Sequence, residues 1–251
     1  MTNYKKNFGQ NFLINPTIAS KIVKESGASR GETVLEIGAG RGILTQCLIE
    51  KEISVIAFEI DRELFEFLKN KFEGMQVEFI FEDFLKFQGK IKADRCVSNI
   101  PYNISTPIIK KLFDLEIPSM TLMIQKEYAK RLMAKPKSRD YNSLSVFVQV
   151  RSKIDRLFDV DRKSFFPSPN VDSTVIQITR TKEMENKIKD MKKFEEIVKA
   201  SFSQKRKMIR NNLKGVDMIL NKAGISPTQR AEEIPVEKFI ELSNLLSDDT
   251  L

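Results

Sequence analysis

A short apolar run that ends in alternating glycines occupies residues 34–42 and reads Val34-Leu35-Glu36-Ile37-Gly38-Ala39-Gly40-Arg41-Gly42. Apolar and β-branched residues in such a run favour a buried strand. Glycine lets the chain turn tightly and approach a ligand without a Cβ in the way. The run therefore predicts a strand that leads through a glycine turn into a helix, a unit typical of open parallel α/β sheets.

Strand-like and helix-like stretches alternate along the chain up to about residue 180. The predicted strands are Thr33–Ile37, Ser54–Glu59, Val77–Phe81, Arg95–Ser98, Met120–Gln125, Leu144–Val150 and Ser173–Thr179. The predicted helices lie near Gly42–Glu50, Asp61–Phe72 and Thr106–Leu115. This alternation predicts a mainly parallel, doubly wound α/β sheet with helices on both faces. Because only a loop separates the last two strands, we expect an antiparallel hairpin at one end of the sheet.

The pattern changes after about residue 180. Residues 182–246 show helical spacing and little β-branching, with helix breakers at Gly215, Gly224, Pro227 and Pro235. We therefore predict a larger α/β domain at residues 1–180 and a small all-α domain of three to five helices at residues 181–251.

Positive charge is concentrated in two segments of the chain. Lys and Arg number 42 against 34 Asp and Glu, which gives a formal net charge of +8. Residues 126–139 carry six basic residues and one acidic residue, and residues 203–214 carry five basic residues and no acidic one. Such clusters are typical of surfaces that bind the phosphates of nucleic acid. The predicted contacts are Lys205, Arg206, Lys207 and Arg210, with a solvated helix face as the alternative.

Several classes of chemistry and location are disfavoured by what the sequence lacks. It has no histidine, so a Ser-His or Cys-His pair is excluded and we expect no metal. Cys47 and Cys96, the only cysteines, stand in no metal or redox spacing, which fits a reducing compartment. Residues 1–10 are polar and basic and do not predict a signal peptide, and no apolar run approaches the roughly 20 residues that span a bilayer. We expect a cytoplasmic protein that does not enter a membrane.

Two acidic residues follow predicted strands at places where a nucleoside can be bound. Glu59 ends the second strand and can accept hydrogen bonds from both hydroxyls of a ribose. Asp83 follows the third strand, where it can reach an adenine amino group. A glycine turn with a ribose-binding acid indicates a nucleoside cofactor, without separating nicotinamide from S-adenosylmethionine. The G-x-G-x-G spacing from Gly38 favours S-adenosylmethionine, and a glycine-rich turn beside a surface Glu is the alternative.

The motif Asn99-Ile100-Pro101-Tyr102 directly follows the fourth predicted strand. The exocyclic amine of adenine is a poor nucleophile because its lone pair is delocalised into the ring. The Asn99 side-chain oxygen and the Pro101 carbonyl can accept its two N–H groups, while Tyr102 offers a face for the base. A sulfonium methyl donor is already activated, so this chemistry needs neither metal nor histidine. The motif therefore predicts methylation of an adenine amino group.

A base that is stacked in a helix cannot reach such a pocket and must first be unstacked and held between flat side chains. Phe165 and Phe166 precede Pro167-Ser168-Pro169 and are candidates for the second face opposite Tyr102. We expect one of the two rings to pack in the core, and we predict that Phe165 stacks on the base.

With these motifs the sequence resembles the KsgA-type rRNA adenine dimethyltransferases, relatives of the Erm resistance methyltransferases. The resemblance rests on Gly9-Gln10-Asn11-Phe12-Leu13, Glu36-Ile37-Gly38-Ala39-Gly40, Asn99-Ile100-Pro101-Tyr102-Asn103-Ile104-Ser105-Thr106-Pro107 and Phe165-Phe166-Pro167-Ser168-Pro169-Asn170-Val171-Asp172-Ser173. It implies a Rossmann-like, S-adenosylmethionine-dependent methyltransferase domain with a small C-terminal all-α domain that aids binding of rRNA or the subunit.

The resemblance also implies roles for individual residues. Asn11 and Leu13 would close over the cofactor, and Gly38 would line its methionine side. Glu59 would bind the ribose and Asp83 the adenine. The catalytic loop would run from Asn99, which also borders the cofactor, through Pro101 to Tyr102, and Phe165 would be the stacking residue. Glu36 is a further, lower-ranked contact at the amino-acid end of the cofactor.

For this family the implied activity is dimethylation of N6 on two adjacent adenosines in the 3′-terminal hairpin of 16S rRNA, within the small (30S) subunit. We expect a monomer that works without a metal. Thr106-Pro107 and the segment Arg206–Leu213 favour the KsgA type over an Erm-type 23S rRNA methyltransferase. An RNA-binding assembly factor with incidental methyl transfer, or a DNA adenine methyltransferase, is the remaining alternative.

Overall fold

The computed structural model describes residues 11–248, which divide into two compact units. The α/β unit contains the described residues of Met1–Lys126 together with Asp155–Thr179. The helical unit contains Glu127–Ile154 and the described residues of Arg180–Leu251. No helix within residues 11–248 is long and apolar enough to cross a membrane.

The strands are β1 (Phe12–Leu13), β2 (Thr33–Ile37), β3 (Ser54–Glu59), β4 (Val77–Phe81), β5 (Arg95–Asn99), β6 (Ser119–Gln125), β7 (Ser152–Val160), β8 (Phe165–Phe166) and β9 (Ser173–Arg180). Between them stand α1 (Pro16–Glu25), α2 (Ile43–Ile49), α3 (Arg62–Lys71), α4 (Ser105–Asp114), α5 (Lys126–Leu132) and α6 (Ser143–Gln149). Seven strands form one sheet in the order β4-β3-β2-β5-β6-β9-β7, and β1 pairs with β8 separately. The five strands from β4 to β6 are parallel, and β9 is antiparallel to β6. The predicted mainly parallel α/β sheet is confirmed.

The position of the cleft follows from this strand order. The chain runs outward from β2 through β3 to β4, and then returns to β5 on the other side of β2. In open α/β sheets, ligands bind at the carboxyl ends of the strands where the order reverses in this way. Here β2 pairs with β5 through Val34 with Arg95 and Leu35 with Cys96. The glycine turn that follows β2 therefore lies at the point of reversal.

The predicted strand at Leu144–Val150 is wrong, because residues 144–149 lie in helix α6 and Val150 caps its end. Asn142 caps this helix by accepting the Leu144 N–H at 2.8 Å, and Ser145 Oγ in turn accepts the Asn142 N–H at 3.1 Å. Such a capping box satisfies the free N–H groups of a helix start, and it outweighs the β propensity of the valines. The strand next to β9 is β7, which sequence reasoning missed, so the hairpin expected from residues 144–150 does not form.

Helix α1 was also missed. It begins after Asn15, whose side-chain oxygen accepts the N–H groups of Thr17 and Ile18 at 3.0 and 3.2 Å. Its apolar residues Ala19, Ile22 and Val23 are fully buried in the core of the α/β unit. The spacing of these residues and the Asn-Pro start were readable signals of an amphipathic helix.

The helical unit has α5 and α6 in its first segment. Its second segment adds α7 (Met191–Ser201), α8 (Ile209–Asn212), α9 (Asp217–Lys222) and α10 (Val236–Asp248). The four helices after residue 180, among the described residues, agree with the predicted three to five.

The helical unit contains residues that the sequence analysis did not assign to it, because the predicted domain was the continuous range 181–251. Ala134, Tyr141 and Val146 from its first segment pack with Phe194 and Phe239 in one buried cluster. The Tyr141 hydroxyl donates to the Ile234 carbonyl at 3.1 Å. This shared core groups residues 127–154 with the tail rather than with the α/β unit. The functions of the two domains stay predictions.

Candidate active site

One cleft lies within the α/β unit at the carboxyl ends of β2, β3 and β5. It encloses about 740 Å³, a volume that includes its open mouth. The residues that line it include seven of the predicted ones: Asn11, Leu13, Gly38, Glu59, Asn99, Pro101 and Tyr102. These residues come from four parts of the chain, so the fold brings the predicted cofactor turn and the predicted catalytic loop to one place.

The glycine turn is built in a conformation that other residues rarely adopt. Gly40 and Gly42 have φ values of +61° and +74°, in the left-handed region. A Cβ at Gly42 would meet the Phe72 ring at 2.6 Å, and one at Gly40 would stand 3.1 Å from the Phe12 ring. The turn is therefore glycine-rich for two reasons, its backbone angle and the rings packed against it.

Glu59 holds the glycine turn in place from the end of β3. Its carboxylate accepts the N–H groups of Gly40, Ile60 and Asp61, each at 2.9 Å. Burial raises the pKa of Glu59, while these N–H groups oppose that change by stabilising the ionised form. A carboxylate has about four acceptor positions. Three are filled here, so one position on Oε2 remains for a ligand hydroxyl.

Glu36 is a second buried carboxyl group in the lining of the cleft. The Thr45 hydroxyl donates to it at 2.6 Å. Burial raises the pKa of Glu36 to about 8, with the charge of Glu59 adding to the effect and the Thr45 hydrogen bond opposing it. Near neutral pH, Glu36 is therefore close to the point at which it changes charge, and a cation in the cleft would favour its ionised form.

The predicted catalytic loop is held next to the glycine turn by hydrogen bonds between the ends of β5 and β2. The Ser98 hydroxyl donates to the Ile37 carbonyl at 2.7 Å and accepts the Ile37 N–H at 3.3 Å. At the next residue, the Asn99 side-chain N–H₂ group donates to the Asn11 carbonyl at 3.2 Å. This contact orients the amide with its nitrogen toward Asn11, which leaves Oδ1 as the acceptor for another partner.

The Pro101 carbonyl, which sequence reasoning assigned to the adenine amine, already has partners within the loop. It accepts the Ile104 N–H at 3.3 Å and the Ser105 hydroxyl at 3.2 Å. Both bonds are at the long end of hydrogen-bond geometry. They hold the short 3₁₀ turn Tyr102–Ile104 against the start of α4, and the role of Pro101 as an acceptor for substrate stays a prediction.

Tyr102 is half-buried at the edge of this loop. Its hydroxyl lies 2.5 Å from the hydroxyl of Ser173, which is a residue 71 positions later in the sequence. Burial raises the pKa of Tyr102, so the phenol stays neutral at physiological pH. The ring is therefore a neutral flat surface whose polar end already has a partner.

The sequence model of the family described as "Ribosomal RNA adenine dimethylase" matches residues 1–248. The chain belongs to this family. It is 41% identical to "Ribosomal RNA small subunit methyltransferase A" of Thermotoga petrophila, over 94% of this chain and 89% of that protein. To the protein of the same name from Oceanobacillus iheyensis it is 37% identical, over 96% of this chain and 90% of that one.

Solved structures agree with this family. A dimethyladenosine transferase from Plasmodium falciparum has a TM-score of 0.82 at 26% identity and covers 92% of this chain and 95% of its own. The 23S rRNA methyltransferase ErmE has a TM-score of 0.72 at 25% identity and covers 94% and 100%. The resemblance to rRNA adenine dimethyltransferases is confirmed. The small-subunit interpretation is favoured over the Erm alternative, because small-subunit enzymes are the near-full-length relatives at 37–41% identity.

Asp83 of this dimethylase-family chain is not among the residues that line the cleft. Its carboxylate accepts the Leu85 N–H at 2.9 Å within its own loop. The neighbouring Phe84 is buried, with its ring edge-on to Phe58 at 5.2 Å. The part of the cleft next to Glu59 is lined instead by Ile60, whose side chain is 44% exposed. The contact of Asp83 with an adenine amino group stays a prediction.

The two phenylalanines before the Pro167 turn differ in burial. We expected one ring in the core and Phe165 to be available for stacking, but Phe165 is the buried ring. Phe165 is 3% exposed and belongs to the core of the α/β unit, whereas Phe166 is 56% exposed. The pairing of β1 with β8 explains this, because Phe165 lies opposite the buried Leu13 and Phe166 opposite Phe12. Successive residues of a strand face opposite sides. The stacking role of Phe165 stays a prediction.

The predicted RNA-binding residues lie in the helical unit. Arg206, Lys207 and Arg210 are exposed and form no ion pair with any residue in the described range 11–248. Lys205 is half-buried, and its Nζ donates to the Arg139 carbonyl and lies 3.4 Å from Glu232. One open pocket of this unit is lined by Arg131, Lys137, Arg139, Lys205 and Arg206, together with Glu127, Asp140 and Glu232. Two basic clusters that are separate in the sequence therefore share one surface.

Sequence reasoning assigned no role to several residues of the site. Phe12, Arg41 and Ile60 line the cleft, and the Arg41 guanidinium lies 5.1 Å from the Phe12 ring centroid. All three lie in or beside predicted motifs, a signal too common to single them out. Ser173 contacts Tyr102 and is the last residue of the motif Phe165–Ser173, on which the family resemblance partly rests. Nothing in that motif shows which residue the Ser173 hydroxyl contacts.

Proposed function

We propose that this protein transfers methyl groups from S-adenosylmethionine to N6 of two adjacent adenosines in the 3′-terminal hairpin of 16S rRNA, in the small ribosomal subunit. The observation that carries the proposal is that Asn99, Pro101 and Tyr102 line the same cleft as Gly38 and Glu59. A catalytic loop suited to an exocyclic amine thus borders a nucleoside-binding turn. The names of the near-full-length relatives support the small ribosomal subunit as the target.

The residues of the cleft fit S-adenosylmethionine, which supplies a methyl group on a positively charged sulfur when it is bound. The glycine turn leaves room for a ligand at the backbone, and the free acceptor position of Glu59 suits a ribose hydroxyl. Buried carboxyl groups at Glu36 and Glu59 suit a ligand that carries positive charge. Asn11, Leu13 and Gly38 line the rest of this region, and the sequence adds Asp83 as the adenine contact.

The protein acts on the target base chiefly by positioning it. Asn99 Oδ1 accepts one N–H of the adenine amine, and the amide is held for this by its bond to the Asn11 carbonyl. The Pro101 carbonyl accepts the second N–H after the Ser105 hydroxyl turns from it to the Tyr102 carbonyl, which lies 3.3 Å away, so the nitrogen lone pair turns toward the methyl group. Tyr102 packs on one face of the base and Phe165 on the other. Such positioning supplies much of the barrier reduction when the electrophile is already activated.

The helical unit binds RNA in this proposal. Lys205, Arg206, Lys207 and Arg210 contact phosphates. The last three are exposed and have no carboxylate partner within residues 11–248, and such cations gain most from replacing counterions on a polyanion. Lys205 would contribute from beside Glu232. The protein would act in the cytoplasm, where ribosomal subunits assemble, and as a monomer. An assembly factor with incidental methyl transfer is the second candidate, and only the basic surface favours it.

The experiment uses the purified protein with labelled S-adenosylmethionine and with small and large subunits that lack adenine dimethylation. The expected result is label on two adjacent adenosines near the 3′ end of 16S rRNA, two methyl groups on each. Label on a single 23S adenosine would assign the chain to the Erm type. Subunit binding without label would favour the assembly factor and overturn the proposed activity.

A further inference from the structure

Tyr102 is fixed at both of its ends, and the two contacts come from different parts of the α/β unit. On the backbone side, the Ser105 hydroxyl lies 3.3 Å from the Tyr102 carbonyl and 3.2 Å from the Pro101 carbonyl. On the side-chain side, the phenol hydroxyl lies 2.5 Å from the Ser173 hydroxyl. A tyrosine ring held only by its backbone would still turn about two side-chain torsions.

Ser173 is itself held on a rigid support. It is fully buried and begins β9, where it pairs with Gln125 at the end of β6. The preceding residue, Asp172, accepts the Lys126 N–H through its carbonyl at 3.0 Å and the Arg162 N–H through its carboxylate at 3.3 Å. The Ser173 hydroxyl therefore projects from a backbone fixed on both sides.

We propose that Ser173 is a positioning residue that holds the Tyr102 ring as the platform for the target adenine. The proposal rests on the proposed function, because Tyr102 must be the surface on which the base packs. Stacking on a ring gains most when the plane of the ring is already set, since no side-chain freedom is then lost on binding. A hydroxyl that acts on Tyr102 alone contributes to catalysis without touching the base.

The contact also restricts what the phenol can do in the reaction. The Tyr102 hydroxyl is engaged with a neutral serine, and burial raises its pKa above the ordinary value. The hydroxyl therefore serves to position the ring, with no proton-transfer role. Removing either hydroxyl should leave the pH dependence of the rate unchanged, while lowering the rate itself.

The test is a double-mutant cycle with Ser173→Ala, Tyr102→Phe and both together, in the full-length protein acting on unmethylated small subunits. Each single change should lower kcat about tenfold, as expected for one well-packed aromatic contact. The double variant should match the single ones within about twofold, because the second change removes nothing further. The dissociation constant of S-adenosylmethionine, measured by calorimetry without RNA, should stay within about twofold of wild type.

Ser119→Ala is the matched control. Ser119 is a buried serine at the opposite end of the same β6–β9 pair, where its hydroxyl accepts from Gln177 at 3.3 Å. It should retain the wild-type kcat, whereas Ser173→Thr, which keeps the hydroxyl, should restore part of the activity lost in Ser173→Ala.

The results separate this inference from the proposed function. Three results would overturn the positioning role of Ser173. They are a kcat of the double variant lowered by the product of the two single effects, a shifted pH dependence of the rate, and a loss of S-adenosylmethionine affinity equal to the loss of rate. Full activity of Ser173→Ala would overturn it as well. If the wild-type protein is inactive on unmethylated small subunits, the proposed function itself is rejected, which is a different outcome.

Discussion

The cleft of the α/β unit differs in construction from the basic pocket of the helical unit, the open pocket lined by Arg131, Lys137, Arg139, Lys205 and Arg206. In the cleft, polar groups such as Glu59 and Asn99 have partners within hydrogen-bond distance and are held by surrounding residues. In the basic pocket, Arg206 and its neighbours are exposed. Among the predicted contacts, Lys205 is the one whose side chain is bonded to another residue within 11–248. The first site is built by fixed geometry and the second by excess charge.

This difference determines how a substitution at each site should act. A buried group with defined partners contributes through its exact position, so its removal should cause a large and specific loss. An exposed cation contributes through charge that salt screens, so its removal should cause a smaller loss that depends on salt. The predictions below test this contrast, beginning with the largest effect.

Asn99→Ala should lower the rate of methyl transfer by about 10²–10³-fold, the cost of removing one well-placed hydrogen-bonding group from a catalytic site. Binding of S-adenosylmethionine should change by only a few-fold, because the glycine turn and Glu59 remain. Single-turnover methylation and calorimetry measure the two quantities. Asn103→Ala, an exposed asparagine in the same loop, is the control and should stay active. Parallel loss of cofactor binding would contradict the assigned role.

Glu59→Gln should weaken S-adenosylmethionine binding by about 10- to 100-fold, the range for hydrogen bonds to a charged group. The amide keeps one oxygen but replaces the other with an N–H₂ group that cannot accept the Gly40 N–H or a ribose hydroxyl. Calorimetry measures the affinity, with Glu66→Gln, an exposed residue of α3, as the control. Unchanged affinity would show that Glu59 only supports the turn.

Arg206→Glu with Lys207→Glu should weaken binding to small-subunit RNA by about 10- to 100-fold at physiological salt, because two phosphate contacts are lost. The slope of log affinity against log salt should become shallower by about two units. Lys205 is left unchanged, since it also bonds to Arg139. Lys192→Glu with Lys199→Glu, on α7 of the same unit, changes the charge equally and is the control. If both pairs of substitutions weaken RNA binding equally, the loss reflects the net charge of the protein and not phosphate contacts made by Arg206 and Lys207.

Phe165→Leu should lower kcat by about tenfold if its ring contacts the base, while Phe166→Leu should have little effect. Leucine keeps apolar volume in the buried position of Phe165, so the loss of packing is smaller than for alanine. Rates on small subunits and melting temperatures are measured together. The reverse order of the two rates would transfer the stacking role to Phe166, the exposed ring.

Glu36→Gln should change stability only modestly, and mainly at high pH. The pKa of Glu36 is raised by burial from its ordinary value near 4.5 to about 8, so the folded protein holds a proton that the unfolded chain releases. The stability from this proton is complete below the unfolded pKa and is lost as pH rises through about 8. The melting temperature of the glutamine variant minus that of wild type should therefore be larger at pH 8.5 than at pH 5, by at least about 2 °C. Equal shifts at both pH values would contradict the raised pKa.

The parts predicted from the sequence share a local origin. The strands around the glycine turn and the loop from Asn99 to Tyr102 were readable, because strand, turn and helix signals there agree within a few residues. The prediction of a strand at residues 144–150 was wrong. Its valines favour a strand, but Asn142, which lies outside the predicted strand, caps a helix there. Helix α1 was missed although its cap and apolar spacing were visible.

The residue types of the candidate site were determined by the sequence alone. A glycine turn, a carboxylate at the end of the next strand and an asparagine loop after a later one lie at one edge of the sheet, because parallel strands all end at the same edge. Burial and long-range contact were decided only by the tertiary structure. It set which of two adjacent phenylalanines is exposed, filled three acceptor positions of Glu59, and brought Ser173 to Tyr102 across 71 residues. Such contacts depend on register and packing between distant segments, and no local pattern encodes them.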